Sequence, residues 1–573
     1  SNLRLGNSLV DSRVFAFCDQ LTNKDKSELK IKSGVRRNFE VLRKLQVFDW
    51  GTQSNFKSIL DQGGFDAVVG NPPYIEVKHY KKHSPVMHKY LSESEDFKSC
   101  GSGKTDISIP FIERSLGLLK NRGRLGFIVQ TRFFKTEYGV AARQMLSKLK
   151  SISEIVDFGA LPVFENRTTY TSILSLTKGG VEDLAYIKID SLNEIEKKLQ
   201  SPVAYPLLQF STSPELGADP WFFVHPDLRV LRESLIRRYP IIEKIAGISI
   251  NVGLQILYKK AYLIRGSLVR GFVKGKSISG KDVQIERQAC RPVVMNRNLF
   301  AFKKIEPTTF AIFPYRISKT KERGKSLLQR LQCKPIYFSS FRKLFPSAGK
   351  YLLSQKAFIE DNVATNPAVN EWHLYTYEKN HCAQSLPKIL VPSTCTDTLA
   401  IFDERGEFYQ DNVRVNSIVI DGATSVQYKA VCAIINSSIF DCLAKITSES
   451  LVHGYIQFNK QFIHPVPIPF EKIMSDDLLC RRLAAHYDEL AELANGFAKA
   501  RDSETKRVLA TAMSSAELSL NESVSMRAYE LSVSEQAALA TFASRMPLQK
   551  CIDLALSEDS EEVDIIGEDS EMA

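Results

Sequence analysis

FDAVVGNPPY, Phe65 through Tyr74, changes character at its seventh residue. Phe65–Gly70 is a short apolar run of the buried-strand type. Asn71-Pro72-Pro73-Tyr74 then supplies two consecutive residues with locked φ and no N–H. Downstream, Asp106–Lys120 (DISIPFIERSLGLLK) carries apolar residues at helical spacing and runs into Asn121-Arg122-Gly123, a helix stop. Arg124–Gln130 (RLGFIVQ) reads as a second buried strand, Tyr138–Lys150 as a helix, and Ile152–Phe158 and Thr171–Thr177 as strands. Strands alternating with helices predict an α/β fold: a mostly parallel sheet covered on both faces. Ligands in such folds sit at the carboxyl ends of strands, where the tetrapeptide falls.

That tetrapeptide suits a particular chemistry. The exocyclic amine of adenine is a poor nucleophile, because its lone pair is delocalised into the ring. The Asn71 side-chain carbonyl and the Pro72 backbone carbonyl can each accept one amino hydrogen. The nitrogen is then drawn toward tetrahedral geometry, its lone pair toward an incoming methyl group. Pro72 and Pro73 fix the backbone so that both acceptors converge, and Tyr74 can stack on a flipped-out base. The competing reading is a rigid turn and nothing more. The strand before it and the helix–strand succession after it favour a site.

Phe65–Thr177 resembles the TaqI-like adenine-N6 DNA methyltransferases, including the large type IIG restriction–modification enzymes. FDAVVGNPPY is similar to that family's motif IV, Lys104–Val129 to its motif V and VI region, and Val163–Leu176 (VFENRTTYTSILSL) to motif VIII. Upstream, Leu5–Leu9 resembles a segment that precedes motif III in the larger enzymes, and Val47-Phe48-Asp49-Trp50 resembles motif III. The resemblance implies that Asn71, Pro72, Pro73 and Tyr74 are catalytic, and that Tyr74 and Phe164 stack on the target adenine. It further implies that Asp49 accepts a hydrogen bond from the adenine amine of S-adenosylmethionine, with Trp50 and Phe111 against that ring. Outside the motif context, Asp49 is as easily a loop cap and Phe111 and Phe164 plain core residues.

The implied architecture is a partial Rossmann-like methyltransferase sheet over 1–188, an α+β target-recognition domain over 189–470, and a helical region over 471–573 with a disordered acidic end. Asn436-Ser437-Ser438, His453–Phe458 and Pro465–Pro469 resemble the close of a target-recognition domain, and Leu520–Gln536 the helical tail of these enzymes. The family's glycine-rich motif I and its acidic motif II residue are expected before Leu3, so the sheet lacks its N-terminal strands and the cofactor pocket is incomplete. Ser1-Asn2 opens the chain without Met, which fits an N-terminally shortened polypeptide whose missing part carries cofactor-binding residues and, in some enzymes of this kind, a nuclease. Ser102-Gly103-Lys104-Thr105 is not a phosphate loop: Lys98 stands where the first glycine is required.

Charge points the same way. The 573 residues are 44% hydrophobic and carry a net charge of +11. Glu558–Glu571 holds eight acids and no base, leaving +19 on the rest. Lys259–Lys350 holds 22 Lys and Arg against four Asp and Glu. Such a field suits a polyanion, which the resemblance makes double-stranded DNA, although a solvated basic surface has the same composition. Candidate phosphate contacts are Lys78, Lys81 and Lys82 in the loop after the tetrapeptide, then Arg265, Arg270, Lys274, Lys276, Arg291, Arg297, Arg316 and Arg323. A metal held by His79, His83 and His88 has no acidic or thiol partner at ligand spacing. The ten cysteines include no CxxC pair and fit a reducing cytoplasm. No apolar run long enough for a membrane span is present. The reading is a site-specific adenine-N6 DNA methyltransferase. The alternatives are a non-catalytic DNA-binding fragment, or a methyltransferase acting on RNA bases or protein glutamine.

Overall fold

Phe65–Gly70 (β1) is a strand, and it pairs in parallel with Leu119–Gln130 (β2), Val68 opposite Leu125 and Gly70 opposite Phe127. Both belong to the first of two units, Ser1–Pro226 and Asp227–Ala573. The computed structural model describes residues 8–9, 11–17, 47–51, 54–75, 85–100, 106–164, 169–189, 191–195, 208–211, 216–320, 328–362, 371–451, 454–548 and 550. The acidic end lies outside them.

Ile152–Asp157 (β3), Thr171–Thr177 (β4), Asp183–Lys188 (β5) and Leu208–Ser211 (β6) complete a six-stranded sheet of order β1-β2-β4-β3-β5-β6. β4 runs antiparallel to β2 and β3, and β6 antiparallel to β5, while β1–β2 and β3–β5 are parallel. The mostly parallel sheet expected from the alternation is therefore mixed. The cause is a connection: a parallel return needs a crossover, usually a helix, and none lies among the described residues between Asp157 and Thr171.

One face of this sheet is closed. Leu125, Phe127 and Val129 of β2, with Ile155, Leu174, Leu176 and Tyr186, are buried against the helices Ser108–Leu118 and Val140–Leu149. The other face is not. Val69 is 85% exposed, Ile173 is 37% exposed, and Ile128 and Val156 are half-buried. Among the described residues the expected cover on both faces is thus absent, and β1, read as a buried strand, pairs on one side only. The helix expected to reach Lys120 ends at Leu118, and β2 begins at Leu119. Register jumps from Phe65 opposite Leu119 to Ala67 opposite Arg124. The expected turn thus survives as a bulge, with Arg122 at φ 63°. A Cβ on Gly123 would lie 2.8 Å from the Phe65 carbonyl oxygen, which is why a glycine closes it.

The second unit loses the alternating rhythm, as the sequence predicts. Ile248–Val252 (β7), Leu263–Val269 (β8), Phe272–Ser277 (β9), Asp282–Glu286 (β10), Cys290–Val294 (β11), Thr309–Ile312 (β12), Tyr315–Lys319 (β13) and Leu331–Pro335 (β14) come first. Lys388–Pro392 (β15), Thr394–Cys395 (β16), Ile401–Asp403 (β17), Tyr409–Gln410 (β18), Val415–Ile420 (β19) and Ile456–Gln457 (β20) follow. They form a six-stranded sheet, β10-β9-β8-β12-β11-β18, a four-stranded sheet, β17-β15-β19-β7, and the pairs β13-β14 and β16-β20. A core rich in tyrosine and phenylalanine, with Tyr262, Phe310, Phe313, Tyr315 and Tyr375, underlies the larger sheet. Helices Asp477–Lys499 and Ser503–Glu522 begin where the carboxylates of Asp476 and Asp502 accept the N–H groups of Leu479 and Thr505. Among the described residues no single helix is long and apolar enough to cross a membrane.

Candidate functional site

The tetrapeptide leaves the carboxyl end of β1, and its four residues are set differently. Asn71 is exposed, Pro72 buried, Pro73 exposed and Tyr74 half-buried. Among the described residues no N–H donates to the Pro72 carbonyl, and the Asn71 side chain has no partner. Both acceptors are available to a ligand. Tyr74 is tethered: its hydroxyl donates to the Ile128 carbonyl at 2.9 Å, one residue beyond the last β1–β2 pair. Burial, and then the Asp106 carboxylate, push its phenol up to about 12, so the ring stays neutral.

The structure brings Phe164 to this site. Its ring lies 6.2 Å from that of Tyr74, at 69° between planes. A base held between parallel rings needs two van der Waals gaps of about 3.5 Å each. The rings here touch edge to face, so no gap of that size separates them. Sequence reasoning missed Asp106. It is 6% exposed, accepts the Ser108 N–H at 2.8 Å, and is followed by Ile107, whose N–H donates to the Ile75 carbonyl at 3.1 Å. This corner pins the chain just past Tyr74. The signal was a lone carboxylate opening the apolar helix.

The residues assigned to the cofactor are not gathered at that end. Asp49 accepts the Ser12 N–H at 2.7 Å and the Trp50 indole donates to the Ser8 carbonyl at 3.1 Å. Trp50 packs on Phe48 and meets Phe65 edge-on at 6.0 Å. Phe65 opens β1 and Asn71 follows its close, about 20 Å away along an extended strand. Phe111 is half-buried against the same core as Phe65.

The basic candidates of the second unit fall into separate groups. Arg265 opposes Lys276 and Ser267 opposes Lys274 across β8 and β9, which places Arg265, Lys274 and Lys276 on one exposed face. Directly opposed glycines, Gly266 and Gly275, let these strands approach: a Cβ on Gly275 would lie 2.0 Å from the Arg265 carbonyl oxygen. Arg270, Arg297 and Arg316 are exposed and Arg291 is half-buried. Lys78, Lys81, Lys82, His79, His83 and Arg323 lie outside the described residues.

The tetrapeptide thus leaves the carboxyl end of a strand beside an aromatic partner. Residues 8–164 match the family model described as Eco57I restriction-modification methylase. Over 425 residues the chain is 24% identical to the type II restriction enzyme and methyltransferase RM.Eco57I of Escherichia coli, covering 71% of this chain and 40% of that one. Over 435 residues it is 23% identical to the type II methyltransferase M.PaeR7I of Pseudomonas aeruginosa, covering 73% of this chain and 67% of that one. The type IIL restriction-modification enzyme MmeI, solved in complex with DNA, aligns with 85% of this chain and 57% of that one at 10% identity, TM-score 0.49.

Proposed function

We propose that the chain belongs to an enzyme that transfers a methyl group to N6 of adenine in a specific sequence of duplex DNA, within a restriction–modification system of the cytoplasm. The observation that carries this reading is the pair of open acceptors, Asn71 and Pro72, beside the Tyr74–Phe164 ring pair. A target adenine leaves the duplex and enters beside Phe164, stacking on Tyr74. Its two amino hydrogens donate to the Asn71 Oδ1 and the Pro72 carbonyl. The nitrogen lone pair is freed from the ring and turned outward. The Pro72 carbonyl is fixed by its backbone before the base arrives, so little reorganisation is needed at that acceptor as charge develops. The methyl donor is S-adenosylmethionine, which supplies a sulfonium-activated methyl group.

The open edge of β1 and the position of Trp50 favour a further point. Polypeptide that supplies the rest of the cofactor pocket, and in some enzymes of this kind a nuclease, completes the sheet beside β1. This chain alone then binds S-adenosylmethionine weakly while binding duplex DNA in a salt-dependent manner. Titration calorimetry with the cofactor tests this, and tight binding would defeat it.

The reading as a whole is tested with the intact polypeptide. Asn71→Ala removes one of two acceptors from an exposed side chain that has no partner. Stability should change by less than about 0.5 kcal/mol, while transfer of radiolabelled methyl to plasmid DNA falls by roughly 10²–10³-fold. Undiminished transfer in this variant would sink the proposal.

A further inference from the structure

A cleft of about 580 Å³ in the second unit gathers Arg287 and Arg291 from the approach to β11, Arg316 and Lys319 from β13, and Arg405 from the loop after β17. Five cations face a single lining carboxylate, Glu407, and that one pairs with Arg405 at 3.7 Å. Among the described residues no carboxylate lies within ion-pair distance of Arg287, Arg291, Arg316 or Lys319.

The two inner guanidinium groups are held in place by neutral groups. Arg287 Nη1 and Arg291 Nη1 both donate to the Cys290 carbonyl, at 3.1 and 2.8 Å. Arg291 Nη1 also donates to the Gln288 carbonyl at 3.0 Å. The Arg291 guanidinium sits over Phe313 at 5.4 Å and Tyr409 at 5.9 Å. Two like charges anchored on one carbonyl repel each other, and neither a dipole nor a ring face neutralises them. Each guanidinium keeps further N–H groups that these contacts do not use.

We propose that this cleft seats the phosphodiester backbone of duplex DNA. The aromatic floor decides between backbone and base. Phe313, Tyr315 and Tyr409 are 1%, 2% and 3% exposed, so these floor rings offer no open face to a nucleobase, and the half-buried Phe345 is the one aromatic of the lining with partial exposure. Charge and N–H donors remain, and those recognise phosphate. The exposed Arg316 and Lys319 continue the cationic lining along β13 toward solvent, which suits a run of phosphates better than one free nucleotide. The inference rests on the reading that the second unit binds DNA, and it adds Arg287, Lys319 and Arg405 to the residues that do so.

Fluorescence anisotropy of a labelled duplex against the full chain, over a series of salt concentrations, tests this. The double variant Arg316→Gln/Lys319→Gln changes exposed side chains only, and Arg287→Gln is measured beside it. Arg481→Gln, on a distant exposed ion pair, is the control. Each lost phosphate contact should lower the salt slope by about 0.9. The double variant should therefore lose up to about 2 from the slope and bind more weakly, while the control matches the unaltered chain. Unchanged slopes in the cleft variants, with DNA still bound by the unaltered chain, overturn the inference and leave the DNA reading intact. Binding of adenosine monophosphate lost in the cleft variants, with their DNA binding unchanged, overturns it in favour of a free nucleotide. No DNA binding by the unaltered chain sinks both.

Discussion

Tyr74 carries two separable duties, and removing them one at a time shows which matters. Tyr74→Phe deletes the hydroxyl that donates to the Ile128 carbonyl at 2.9 Å and keeps the ring against Phe164. A single neutral hydrogen bond contributes about 1 kcal/mol net, which in a unit of this size lowers Tm by about 2–4 °C. Misplacement of the ring by the same energy costs at most about fivefold in methyl transfer. Tyr74→Ala removes the stacking surface as well. Base–aromatic stacking is worth about 1–3 kcal/mol, so transfer should fall by a further 5- to 150-fold. The assay is single-turnover methylation of plasmid DNA by the intact polypeptide, read by mass spectrometry of the released nucleosides, with thermal melts alongside. A Phe variant as inactive as the Ala variant would refute the reasoning, because it would give the phenol itself a chemical task. With its proton held to about pH 12, the phenol has none at neutral pH.

Three other outcomes follow from particular side chains. Phe164→Ala removes the ring beside Tyr74, so single-turnover transfer should drop by roughly 5- to 150-fold through lost stacking, with no rise in the rate of duplex binding. His381 is 4% exposed among Phe313, Tyr315 and Tyr375, and burial lowers it from 6.5 to about 4. Unfolding then takes up a proton in that window, so stability is full above pH 6.5 and is lost as pH falls toward 4. The loss is about 3 kcal/mol at most, visible as a Tm that declines on acidification and flattens in His381→Gln. Gly275→Ala drives a Cβ to 2.0 Å of the Arg265 carbonyl oxygen and should cost about 1–3 kcal/mol in denaturant melts. Gly51→Ala, where nothing lies within 4 Å, is the neutral comparison.

What the sequence disclosed depended on how local the cause was. β1 and β4 were legible to the residue, since alternation and apolar runs act within a strand, and the tetrapeptide was legible because proline acts on its own backbone. Strand direction was not, because it is fixed by a connection: no helix lies among the described residues between Asp157 and Thr171, and the chain returns antiparallel. Burial of β1 was misread for a related reason. Phe65, Val68 and Val69 are apolar enough for an inner strand, yet whether a strand is inner depends on a neighbour that composition does not reveal, and Val69 stands 85% exposed.

The same limit governs the two ligand regions. Phe164 was placed beside Tyr74 by the family resemblance, and the two rings do lie together at the edge of one sheet. Asp49 and Trp50 were not placed beside Asn71 in the same way, because they lie on a segment before β1 whose contacts the residue pattern does not fix. In the described residues Trp50 packs instead on Phe65, the apolar side chain that β1 offers at its uncovered end. The cationic cleft shows the opposite case. Arg291 and Arg316 stood out within a basic block, but Arg405 lies 89 residues beyond Arg316 in a segment of ordinary charge, and only the loop after β17 carries it there. A charge count locates a field; the fold decides which cations share it. That is why Arg287 and Arg291, bonded to one carbonyl and paired with no acid, say more about a phosphate than the other cations of the block.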